Sequence, residues 1–97
     1  MILSFGNELA RDLVEDRTSK ATRSFPPDLR RKARMKLALL HSVREIGELN
    51  APPGNRLEKL RGLKAGAYSI RINDQWRITF GFDQGNAFNV MVEDYHT

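Results

Sequence analysis

The chain has 97 residues, 40% apolar and 29% charged, the makeup of one small soluble domain with too little core to enclose a cofactor pocket. It has no cysteine, which excludes disulfides, thiolate catalysis and cysteine-held zinc and suits a cytoplasmic setting; no apolar run approaches the ~20 residues of a membrane span, and Met1–Phe5 lacks the flanks of a signal peptide. A net charge of +4 and a pI near 9.9 point instead toward a polyanionic partner.

Ile2–Phe5 reads as a short first strand. Glu8–Val14 reads as a helix, with Leu9 and Leu13 on one face. Asp16–Ser24 is polar and basic and reads as a loop. Pro26-Pro27 suits a helix start, where a missing N–H costs nothing, and Ser24 is a nearby cap. A long helix is therefore expected from Pro27 to Ile46. Its apolar stripe is Leu29, Ala33, Leu37 and Leu40, continued by Leu39, Val43 and Ile46, and Gly47 is its stop. Ala51-Pro52-Pro53-Gly54-Asn55 is a rigid turn. Beyond it the apolar period becomes two. Leu57–Leu63, Ala67–Ile72, Trp76–Phe82 and Ala87–Asp94 read as strands, broken at Gly66, Asn73–Gln75 and Asp83–Asn86. The order β-α-α-β-β-β-β implies a single α+β domain over residues 1–97, an antiparallel sheet with two N-terminal helices packed on one face. Periodicity leaves open where the first strand enters the sheet.

The hairpin at Asn73 fixes a register. A two-residue loop would mix apolar and charged side chains on both faces. A three-residue loop of Asn73, Asp74 and Gln75 pairs Ile72 with Trp76, Arg71 with Arg77 and Ile70 with Ile78, and sorts Ile70, Ile72, Trp76, Ile78 and Phe80 to the core. Two arginines then stand opposite each other on the polar face, an arrangement that destabilises unless an anion joins them. The last hairpin by the same logic pairs Phe80 with Val90, Ile78 with Val92 and Arg77 with Glu93, the last as an ordinary cross-strand ion pair or as part of a site.

Charge is segregated. Eight cations lie between Arg17 and Lys36 against Asp28 alone, and six between Arg56 and Arg77 against Glu58 and Asp74. Such clusters draw phosphates, or form a solvated face. Arg23, Arg30, Arg31 and Arg34 are the candidates for docking on a polyanion or on an acidic protein surface. His41 reads as a surface residue and Trp76 as core. Glu93-Asp94-Tyr95-His96, after an apolar strand, places a carboxylate, a phenol and an imidazole beside Arg77. Proton-transfer groups next to cations point to chemistry on RNA.

Pro52 to Leu60, Tyr68 to Ile78 with its Asn73-Asp74-Gln75-Trp76-Arg77 hairpin, and Val92-Glu93-Asp94-Tyr95-His96 resemble the HigB branch of the RelE toxin superfamily. Glu45-Ile46-Gly47-Glu48-Leu49-Asn50 adds to the likeness, which weakens toward the N-terminus. The resemblance implies a small twisted RelE-like sheet. It implies a type II toxin that enters the ribosomal A site and cuts messenger RNA, with no metal or other cofactor. It also implies a HigA-type helix-turn-helix antitoxin, and operator DNA reached through that antitoxin. For Arg23, Arg30, Arg31 and Arg34 it makes the docking partner ribosomal RNA or the antitoxin. Lys64, Arg77, Asp94, Tyr95 and His96 match the family's catalytic positions. Arg61 stands where some relatives carry His, and a guanidinium cannot serve as a base near neutral pH.

In RNA cleavage the 2′-OH attacks the neighbouring phosphorus. His96 is the first choice for moving a proton, with Asp94 orienting it or acting as base and Tyr95 donating a proton or stacking on a nucleobase. Arg71 and Arg77 would bind the scissile phosphate, and Lys64, Arg61, Lys59 and Arg56 the flanking chain. Two rivals are a ParE-like gyrase-directed toxin and a non-catalytic RNA- or ribosome-binding module.

Overall fold

The structure, a computed structural model, describes residues 1–62 and 66–94. Its helices are α1 (Glu8–Glu15), α2 (Lys20–Ser24) and α3 (Arg30–Ser42), and its strands β1 (Glu58–Lys59), β2 (Ala67–Arg71), β3 (Trp76–Asp83) and β4 (Asn86–Asp94). The strands form one antiparallel sheet in the order β1-β2-β3-β4. The fold is thus the expected α+β arrangement, with the helices before the strands. Among the described residues no helix is long and apolar enough to cross a membrane.

The N-terminal segment lies beside β4, with Ile2 and Phe5 bridging Ala87 and Val90 in parallel. Two side chains tie it down. The Ile2 N–H donates to Nδ1 of His41 at 3.1 Å, so the exposed His41 anchors this segment from α3. Asn7 caps α1 by accepting from the Ala10 N–H, donates to the Val92 carbonyl at 2.9 Å and accepts from the Val92 N–H at 3.3 Å. One amide therefore starts the first helix and continues the ladder of β4.

The basic stretch read as a loop contains α2. Ser19 and Thr22 form a reciprocal cap, each hydroxyl accepting the other's backbone N–H at 2.8 and 3.2 Å. The long helix is shorter than expected. A 3-10 turn at Pro27–Leu29 leads into α3, and the chain becomes extended at Val43. Ile46–Asn50, expected as its last turn and stop, is a separate 3-10 turn. Glu48 starts that turn by accepting the N–H groups of Arg44 and Glu45 at 2.7 and 2.8 Å.

Ala33, Leu37 and Leu40 of α3 meet Ile70, Ile72, Ile78, Phe80, Val90 and Val92 of the sheet in one core. Phe25 closes one end of it, edge-on to Trp76 at a ring separation of 4.8 Å. The expected register holds: Ile70 faces Ile78, Arg71 faces Arg77, and Arg77 faces Glu93. Past Thr79–Met91 the last hairpin slips, because Asn89 and Val90 together stand against Phe80. Asn89 adopts φ 54 there, the left-handed conformation a β-bulge uses. The bulge swings Phe88 over Gly81, where a Cβ would lie 2.3 Å from the ring. Of the expected strand Leu57–Leu63, the described residues 57–62 supply a strand at Glu58–Lys59, extended by a bond from the Leu60 N–H to the Ala67 carbonyl; Leu63 lies outside the described residues.

Candidate functional site

The face of the sheet away from the helices is ordered in rows by the register. Arg71, Arg77 and Glu93 form one row, Glu58, Ser69, Thr79 and Met91 the next, and Ala67, Gly81 and Phe88 a third. Continuing the β1–β2 pairing by two residues brings Arg56 level with Arg71. Cations therefore gather at the end of the sheet where β4 finishes, and apolar side chains at the other.

Arg77 is the fixed point of the first row, its side chain 10% exposed. Nη2 donates to the Arg56 carbonyl at 2.8 Å, and Nη1 lies 3.6 Å from the Glu58 carboxylate. That carbonyl belongs to a residue at φ 46, a conformation costing about 1 kcal/mol or more for a residue with a Cβ. Local strain thus sits directly against the arginine. Arg71 pairs with Asp74 of its own hairpin. The like-charge conflict expected between the two arginines is therefore relieved by two acids, Glu58 for one and Asp74 for the other. Glu93 accepts a 2.5 Å hydrogen bond from the Thr79 hydroxyl. Beneath them the Ser69 hydroxyl is buried with no hydrogen-bond partner.

Asp94 is separated from this row by the pleat. It stands opposite Trp76, on the other face from Arg77 and Glu93, and accepts from the Gln75 amide at 2.9 Å. Glu93 shares the face of both arginines with Glu58, a placement that the alternation of β4 beyond its bulge already encodes. Lys59 and Arg61 border a separate hollow of about 510 Å³ with Leu60, Gly62 and Gly66. That hollow opens at the start of β2, some four residues or roughly 13 Å from Arg71. Lys64, Tyr95 and His96 lie outside the described residues.

The four docking arginines divide. Arg30 donates to the Thr22 carbonyl at 2.7 Å and Arg34 to the Leu13 carbonyl at 3.0 Å, so both brace α3 against α2 and α1. Arg23 and Arg31 are exposed. Lys36, which sequence reasoning left within the basic run, reaches the site instead. Its ammonium donates to Oδ1 of the buried Asn55, the residue before Arg56. Burial holds its pKa below the usual lysine range, and Lys32 and Arg71 lower it further. The signal for Lys36 is its position one residue before Leu37, on the shoulder of the buried stripe.

An open antiparallel sheet, helices on one face and a cationic row at one end of the other define a RelE-like toxin fold. The chain belongs to the HigB-like toxin family, described as the RelE-like toxin of type II toxin-antitoxin system HigB, which matches residues 3–96. It is 33% identical over 95 residues to Toxin HigB-1 of Vibrio cholerae serotype O1, covering 98% of both chains. It is 41% identical over 61 residues to Endoribonuclease HigB of Proteus vulgaris, 63% of this chain and 65% of that one. An uncharacterized protein of Haemophilus influenzae is 29% identical over 71 residues, 73% of this chain and 70% of that one. The protein is a HigB-type toxin, and its system includes an antitoxin.

Proposed function

We propose that the toxin is an endoribonuclease that cuts messenger RNA in the ribosomal A site. The observation that carries this reading is the row Arg71–Arg77–Glu93, which lies beside the end of the strand running into Tyr95-His96. Two guanidiniums on one face suit a phosphodiester whose charge grows during in-line attack by the 2′-OH. Arg77 is preorganised for this role, since its fork is already held by the Arg56 carbonyl and Glu58. Arg71 is the more adaptable donor, because Asp74 is 94% exposed and yields it to a phosphate at little cost.

In this reading His96 exchanges a proton with the 2′-OH or the leaving 5′-oxygen, Tyr95 supplies a second proton or stacks on a base, and Lys64 adds positive charge. Asp94, bound to Gln75, orients the tail rather than touching phosphate. Lys59 and Arg61 hold RNA further along the edge. The toxin acts in the cytoplasm, and a HigA-type helix-turn-helix antitoxin restrains it and carries it to operator DNA. The relative named Endoribonuclease HigB supports the nuclease over a gyrase-directed toxin.

The test is a primer-extension map of messengers in cells expressing the chain, beside His96→Ala. Cuts within translated codons, lost in His96→Ala while the variant still sediments with ribosomes, are expected. Growth arrest without new messenger ends, or arrest undiminished by His96→Ala, would refute the nuclease.

A further inference from the structure

We propose that Lys36, with Lys32 and Arg71 at its sides, is the seat of a second RNA phosphodiester, one that flanks the bond being cut. The proposal rests on the nuclease reading and extends its site from the sheet onto α3. Lys36 borders the buried stripe of Ala33, Leu37 and Leu40, so its stem follows the edge of the core before the ammonium emerges. The ammonium meets Asn55, which is fully buried and fixed by donating to the Leu49 and Ala51 carbonyls at 3.2 Å each. The next residue is Arg56, whose carbonyl receives Arg77. Lys36 from the helical layer and Arg77 from the sheet thus grip consecutive residues of one turn. RNA seated on Arg71 and Arg77, which face each other across the ladder, has Lys36 on the Arg71 side, where the two positive charges act on each other.

The electrostatics point outward. Among the described residues no carboxylate forms an ion pair with Lys36, and its charged neighbours Lys32 and Arg71 are both positive. Desolvation and these neighbours hold its pKa down, which marks a cation short of a counter-charge. An ammonium has three donors and Asn55 takes one, which leaves two for phosphate oxygens. A lysine that served only to brace Asn55 would need none of the surrounding charge.

The experiment follows the anisotropy of an end-labelled single-stranded RNA bearing one 2′-deoxy nucleotide at the cleavage position, titrated with the full chain across a salt series. Lys36→Gln keeps a donor for Asn55 and deletes the charge, Lys36→Arg keeps the charge, and Lys32→Gln removes a neighbour with no structural bond. Loss of one phosphate contact lowers the slope of log affinity against log salt by about 0.7 for a single strand. That drop is expected for Lys36→Gln, a smaller one for Lys32→Gln, and none for Lys36→Arg. A parental slope in Lys36→Gln, with or without a lower melting temperature, overturns the proposal. An unchanged slope combined with weaker sedimentation on ribosomes overturns it too, because the phosphate then belongs to ribosomal RNA. Failure of the parent chain to bind the oligonucleotide also counts against it, and leaves the primer-extension map to judge the nuclease separately.

Discussion

In the helical layer the cations are neighbours in sequence, yet they scatter in space. At the end of the sheet they are distant in sequence, yet they converge. Arg30 and Arg34 each reach back to a carbonyl near the end of a preceding helix, and Arg17 turns to Glu15. Arg56, Arg71 and Arg77 come from a turn and two strands, and the ladder sets them side by side with Glu58 and Glu93. A run of positive residues on a helix points around a circle, and many of its members find structural partners. A run set by strand register points one way. Charge counted along the chain therefore does not separate bracing cations from exposed ones in the first region, and it misses the convergence in the second.

Removing Arg77 should break this contrast most severely. Arg77→Met leaves the strained Arg56 carbonyl without its donor and Glu58 without its cation. A loss of about 2 kcal/mol in urea unfolding is expected, with growth arrest abolished. Arg77→Lys should recover part of the stability and little of the toxicity, since an ammonium lacks the two-pronged geometry. Arrest that survives Arg77→Met would show that the row is structural and the site lies elsewhere. Arg30→Ala is the counterpart in the other region. It should lower stability by about 1–2 kcal/mol through the lost bond to Thr22, while messenger cleavage per folded molecule stays at the parental rate. A large drop in cleavage at unchanged stability would erase the distinction between bracing and binding cations.

The sheet was legible because sorting side chains by face admits one register: Ile70, Ile78 and Val92 on one side demand Arg71, Arg77 and Glu93 on the other. The same alternation puts Asp94 across the pleat from Arg77, so adjacency in sequence was misleading where period two was not. The bulge escaped because Phe88 to Val92 alternates evenly, and only Asn89 hints at a left-handed residue. Helix α2 escaped because it has no apolar stripe; its one signal was the spacing of Ser19 and Thr22. The Lys36–Asn55 contact was beyond reach, since it depends on a turn that buries an asparagine by giving it two carbonyls.

A milder test sharpens the division within α2 and α3 themselves. Arg23 and Arg31 are exposed, unlike Arg30. Reversing both to Glu should move stability by no more than about 0.5 kcal/mol. If the helical layer docks on ribosomal RNA, sedimentation with ribosomes should weaken several-fold and most visibly at low salt. Equal sedimentation would leave these two arginines as solvated surface.

The smallest effect lies at the joint between the regions, where Glu48 sets the turn that leads to Asn55. The backbone N–H of Glu45, then that of Arg44, stabilises the carboxylate and holds its pKa below the ordinary value of about 4.5. A carboxyl depressed in the folded state adds stability above its unfolded pKa and loses it as the pH falls through the folded one. Glu48→Gln should therefore melt slightly below the parent at neutral pH, and the two melting curves should merge in acid, below the lowered pKa. A gap that persists there would mean that the side chain acts by shape, with its charge irrelevant to holding the Ile46–Asn50 turn that leads to Asn55.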